Sequence, residues 1–221
     1  MTVGAAFTRW EHRYGFVLLL ILCSLAFQLA APDQAWARLV AIALQGATLI
    51  LALYASQARP AITRPATVVV TLAVLGSGAA LVGFGDFGPT SGRIVSALLV
   101  GLAPLAIAMG VVRGVRAEGT VTLHTMFGVL CIYLLLGMLF ALTYGLVGEA
   151  QSEPFFASGA EEDISDFLYF SFATLTTVGY GDLAAGTDLG RSVTITEALI
   201  GQIYLVTVVA VIVGNLSRRR A

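Results

Sequence analysis

The stretch Thr174-Leu175-Thr176-Thr177-Val178-Gly179-Tyr180-Gly181-Asp182 decides how this chain is read. It closes an apolar segment, residues 164–178, that is edged by Asp163, Asp166 and Asp182. That segment is too short to cross a bilayer, which takes about 20 mainly apolar residues. Long apolar runs flank it on both sides, at 127–147 and 192–216. A short apolar element between two spans reads as re-entrant. Irregular backbone at membrane depth is tolerated only where protein or water surrounds it, so the arrangement points to a pore.

Four further apolar runs precede it, at 14–31, 36–56, 66–82 and 94–112, making six candidate spans. The composition agrees: of 221 residues 58% are hydrophobic and 11% charged, with a mean hydropathy of +0.90. Soluble domains carry roughly 25% charge, so disorder, a coiled coil and an ordinary soluble domain are excluded. The expected fold class is an all-α membrane protein: six transmembrane helices, with a re-entrant helix between the fifth and sixth. Residues 1–119 form a peripheral four-helix unit and 120–221 the pore unit.

Charge orients the spans. With both termini inside, nine arginines face the cytoplasm (Arg9, Arg13, Arg59, Arg64, Arg113, Arg116, Arg218, Arg219, Arg220) and three face out (Arg38, Arg93, Arg191). Short loops rich in Arg stay inside. A signal peptide is the alternative for the first span, since Ala35-Trp36-Ala37 has the form of a cleavage site, but the apolar run is too long for one. All 12 basic residues are Arg, a weak pointer to a GC-rich bacterial genome, and no basic patch suits nucleic acid. Cys23 and Cys131 lie in apolar runs and read as free, buried thiols. No catalytic set is present; His12 and His124 stand apart, and His124 reads as an interfacial anchor.

Residues 177–182, Thr-Val-Gly-Tyr-Gly-Asp, match the selectivity-filter signature of the potassium-channel family letter for letter, and the last hundred residues resemble that family's pore. The resemblance implies K+ as the permeant ion, no other cofactor, and passive conduction. The implied ligands are the carbonyls of Thr177, Val178, Gly179 and Tyr180 with the Thr177 hydroxyl, replacing the ion's hydration shell. Gly179 and Gly181 would supply the backbone conformations that side chains resist, with Val178 and Tyr180 packed behind. One loop per chain implies a homotetramer, in contact with membrane lipid.

The chain departs from the simplest members where they carry bracing tryptophans. Here stand Phe167, Leu168, Tyr169 and Phe170, so the aromatic cuff is expected to hold by packing, with Tyr169 reaching Asp182; Thr176 supports the filter from below. Ala173 replaces a glutamate found behind some filters. Gly201 falls at the family's gating glycine, or simply gives room for helix packing. Glu197, the one acid inside a span, is expected behind the filter on hydroxyls such as Ser171 or Thr174; the alternative is a structural, protonated carboxyl. Gln202, Leu205, Val209 and Val213 share a helical stripe expected to line the cavity.

Three further expectations follow. The fourth run has no charge between Arg93 and Arg113, so it lacks the arginine ladder that voltage sensing needs and voltage dependence should be weak or absent. Residues 117–126 should form a short interfacial helix, because a fifth span from 120 to 148 would be about 43 Å long. The external loop 149–166 holds six acids, so four copies would ring the mouth with twenty-four and concentrate cations. Leu81-Val82-Gly83-Phe84-Gly85-Asp86 is similar to a second filter but reads as a glycine turn, and no cytoplasmic ligand-binding domain follows Arg220. The rival functions are a poorly selective cation pore and a non-conducting scaffold or regulatory subunit.

Overall fold

The first helix inverts the pattern of a soluble protein, with polar side chains inside and large apolar ones outside. In α1 (Arg13–Ala30) the buried residues are Tyr14, Val17, Ile21, Ser24 and Gln28, one stripe at helical spacing, while Phe16, Leu19, Leu22 and Leu29 face out. The polar groups go inside because hydrocarbon offers them no partner. Gln28 Nε2 donates to the Ser24 carbonyl and hydroxyl, both at 3.1 Å, and Gln45 Nε2 of the next helix donates to Gln28 Oε1 at 3.2 Å.

The computed structural model describes residues 13–32, 34–81, 89–118, 121–160 and 162–218. After α1 come α2 (Ala35–Ala55), α3 (Pro60–Leu81), α4 (Pro89–Glu118), α5 (Leu123–Ala150), the short α6 (Ile164–Leu175) and α7 (Asp188–Arg218). Among the described residues there is no strand, only an isolated bridge between Phe156 and Ala185. Four helices are long and apolar enough to cross a membrane: Ala35–Ala55, Pro60–Ala79, Thr90–Ala117 and Leu123–Ala150. Helix ends follow local chemistry. The α2 terminus closes with Gln57 in the left-handed region (φ 51) and the Ala58 N–H on the Leu53 carbonyl, satisfying the last carbonyls before Pro60. Thr122 caps α5 through its hydroxyl.

Helix α5 is the centre of the bundle. It packs along α4 and α1 on one side and against α6 and α7 on the other. Of the four preceding helices, α1 and α4 therefore lie directly against α5 of their own chain. Backbones approach closely at Gly110 of α4, where a Cβ would come within 2.7 Å of the Ser56 Cα. Small residues permit such approach, and dispersion holds it.

Two expectations change. No separate interfacial helix forms: α4 runs to Glu118, α5 starts at Leu123, and residues 119 and 120 lie outside those described. Helix α5 has 28 residues, about 42 Å, an excess over the hydrocarbon that tilt or projecting ends absorb. Cys131 is buried, but Cys23 is exposed on the outer face of α1, since periodicity puts it beside Leu22 rather than Ile21. The glycine turn expected at 81–86 lies outside the described residues after Leu81, as do Arg219 and Arg220.

Candidate functional site

Helix α6 stops because its carbonyls are taken by the segment that follows. The Thr177 N–H donates to the Thr174 carbonyl at 3.0 Å, and the Val178 and Gly179 N–H groups both donate to the Ala173 carbonyl, at 2.9 and 3.1 Å. The backbone then alternates. Thr177 has φ 60, Gly179 φ 55 and Gly181 φ 82, whereas Val178 and Tyr180 between them are not in the left-handed region. Alternating hands turn successive peptide planes the same way, which builds concave rows of like backbone groups. Among the described residues, no group donates to the carbonyls of Thr177, Val178, Gly179 or Tyr180.

Thr177 was not legible as one of the left-handed positions. A β-branched residue there is a genuine outlier, and nothing in its sequence neighbourhood signals it. At the glycines the constraint is conformational, since a Cβ at Gly179 or Gly181 would meet nothing within 4 Å in the chain. Val178 and Tyr180 are 53% and 70% exposed. Their own chain does not cover them.

Support comes from three directions. Tyr169 lies parallel to Tyr180, with ring centroids 6.0 Å apart and planes 8° apart, and its hydroxyl donates to Asp182 Oδ2 at 2.9 Å. That hydrogen bond raises the phenol's pKa. Thr176 Oγ1 donates to the Phe172 carbonyl at 2.6 Å. Beyond Asp182 the chain turns back beside residues 155–157, through Ala157 N–H to the Ala184 carbonyl and Gly186 N–H to the Phe155 carbonyl, and Arg191 Nε braces the turn by donating to the Ala185 carbonyl. Phe170 is not beside Tyr180. It is 6% exposed and packs with Tyr144, Phe155 and Phe156 at centroid distances of 5.1–5.9 Å. Replacing Tyr169 by Phe should speed amide exchange over Val178, Gly179, Tyr180 and Gly181 and leave α5 and α7 unchanged. Equal exchange would mean that stacking alone holds the segment.

Glu197 is fully buried where three helices meet. Tyr144 of α5 donates to its Oε2 in a short hydrogen bond, and Ser171 Oγ of α6 lies 2.5 Å from its Oε1. The same Oγ lies 2.7 Å from the Gly137 carbonyl. A hydroxyl has one proton to give. With Glu197 protonated, each of the three contacts carries a proton; ionised, one becomes a bare oxygen–oxygen approach. Its contacts are Ser171, one of the two α6 hydroxyls expected, and Tyr144 of α5. Tyr144 is the partner that sequence reading missed.

Gly201 faces the end of α6. A Cβ there would come within 2.7 Å of Leu175 Cδ1 and 3.0 Å of its carbonyl oxygen, to which Tyr133 also donates at 3.0 Å. Helix α7 is continuous past it. Gly201→Ala should therefore displace α6 and lower stability by about 1–3 kcal/mol, measured as a thermal shift; an unchanged midpoint would show that Leu175 yields freely. Gln202 and Leu205 are exposed in the single chain, and the side chains of Val209 and Val213 lie outside those described. The acid-rich loop is partly committed inward: Glu149 pairs with Arg93 at 2.7 Å, and Glu162 Oε1 accepts from the Phe155 N–H.

Residues 128–218 match the family model described as ion channel. The matched stretch takes in most of α5, all of α6, the alternating segment and α7. An ion channel is the reading this match supports. A search of curated proteins found no match, and neither did a search of solved structures.

Proposed function

We propose that this chain is one subunit of a homotetrameric, potassium-selective channel with weak or no voltage dependence. Six helices span the membrane, α6 re-enters as the pore helix, and residues 177–181 form the filter. The observation that carries the reading is the alternation at Thr177, Gly179 and Gly181 with four carbonyls left unpaired. Unpaired carbonyls at membrane depth cost several kcal/mol each, and four such rows around one axis would exchange that cost for coordination of a dehydrated K+. The exposure of Val178, Tyr180, Ile195, Leu199, Ile203 and Val206 in the single chain supports partners on that side, since neighbouring copies would cover it. The stretch of α4 between Arg93 and Arg113 carries no charge to move in the field. Residence in a bacterial plasma membrane with both termini inside belongs to the same proposal, on the arginine count.

The test is flux from liposomes holding the purified protein, with K+ or Rb+ against Na+, with and without Ba2+. Barium-sensitive flux that prefers K+ over Na+ is expected. Equal Na+ flux would replace the reading with a poorly selective cation pore, and silence at all voltages with a non-conducting scaffold.

A further inference from the structure

Arg93 is the only charged residue of α4 before Arg113, and it sits in the early turns of the helix. A cation there opposes the helix dipole. The side chain does not stay on α4. Its Nη1 donates to the Gly145 carbonyl at 3.2 Å and to Glu149 Oε1 at 2.7 Å, and its Nη2 donates to the Glu162 carbonyl at 3.1 Å. The guanidinium carbon lies 5.5 Å from the centre of the Phe167 ring. The charge is thus carried to the C-terminal end of α5, where the dipole favours it, and onto an aromatic face.

Helix α5 is shaped for this. A Cβ at Gly145 would come within 3.1 Å of Arg93 Nε, and one at Gly148 within 2.7 Å of Glu162 Oε2. The two glycines, one turn apart, open a lane that the arginine and the glutamate fill. Glu162 in turn accepts from the Phe155 N–H, so the loop over α6 is tied into the same cluster.

We propose that Arg93 is a positioning residue for the filter: it is a polar link through which α4 holds the outer end of α6. Glu162 directly precedes the α6 cap residue Asp163, and Phe167 is on its first turn. Helix α6 then runs 12 residues as one rigid element to Thr176 and the alternating segment. A shift of the outer end of α4 is passed to that segment through a fork of directed bonds rather than through sliding apolar contacts. This gives α4 a task that needs no arginine ladder. The consequence for conduction rests on the channel reading above; the link itself does not.

Hydrogen exchange on the full-length protein, read by mass spectrometry, tests the link whether or not the protein conducts. Arg93→Gln should speed exchange over residues 163–182 roughly tenfold, with α2 unchanged. Arg93→Lys should fall between the two, because an ammonium lacks the planar fork that reaches three acceptors. Glu149→Gln should add little when combined with Arg93→Gln, since both remove one shared contact. Unchanged exchange over 163–182, a uniform rise in every helix, or fully additive effects would each overturn the proposal. In the liposome assay, Arg93→Gln should change K+ flux several-fold at an unchanged preference over Na+. Unaltered flux in a conducting protein would overturn the functional half. Silence of the unmutated protein would sink the channel reading instead, with the exchange data still deciding the link.

Discussion

Gly179→Ala should abolish potassium-selective flux while the protein still folds and assembles. Gly179 stands at φ 55, where a side chain costs about 1–2 kcal/mol. The chain already tolerates that cost once, at Thr177 with φ 60. A second L-residue two positions on makes the alternation unfavourable in every copy, and in the proposed ring the cost is incurred four times. The cheapest relief is a return to the right-handed region, which rotates a peptide and takes its carbonyl out of the row. Loss of one ligand layer for a dehydrated ion should cut K+ flux by about a hundredfold or more, since each ~1.4 kcal/mol is tenfold in rate. No neighbour in the chain would clash with the new methyl, so helix content and thermal midpoint should move little. Flux within twofold of the unmutated protein would show that the backbone alternation has no part in permeation.

Glu197→Ala should have the largest effect on stability. The substitution leaves Tyr144 Oη and Ser171 Oγ facing a cavity where a carboxyl had joined α5, α6 and α7. The lost packing and the unsatisfied donor together should cost about 2–4 kcal/mol. Glu197→Gln separates the two ways in which the carboxyl could act. The amide nitrogen can donate to Ser171 Oγ and the amide oxygen can accept from Tyr144, so the glutamine should fall within about 1.5 kcal/mol of the unmutated protein. That result is expected if the carboxyl is a neutral donor–acceptor. Should glutamine prove as damaging as alanine in thermal unfolding, the carboxyl works as a charge and the proton arrangement given above is wrong.

Much of the helical outline was legible because long apolar runs have few alternatives. Boundaries were less so: the fourth run was expected to end near 112, but α4 reaches Glu118, because Arg113 and Arg116 are good helix formers and Gly114 between them does not stop the helix. The 177–182 segment was legible because its glycines sit at the positions that need them. The left-handed Thr177 was not, because an intrinsic preference argues against it and tertiary context overrides the preference. Tyr144 lies 53 residues from Glu197 in sequence, and a tyrosine in an apolar helix looks like any other packing residue. Arg93 read as an orientation marker, since a residue count can assign a charge to a side of the membrane but cannot see the two glycines on α5 that make room for it. The acid-rich loop misled for the same reason. Composition counts Glu149 and Glu162 as solvated, and only the fold shows them turned toward Arg93 and Phe155.

The one alternating segment among the described residues of each chain has a genetic corollary. If four copies must each supply a row, a cell making equal amounts of sound and Gly179→Ala chains would own only about one wholly sound complex in sixteen, given random mixing. A damaged allele would then behave as dominant, silencing most of the product of its healthy counterpart.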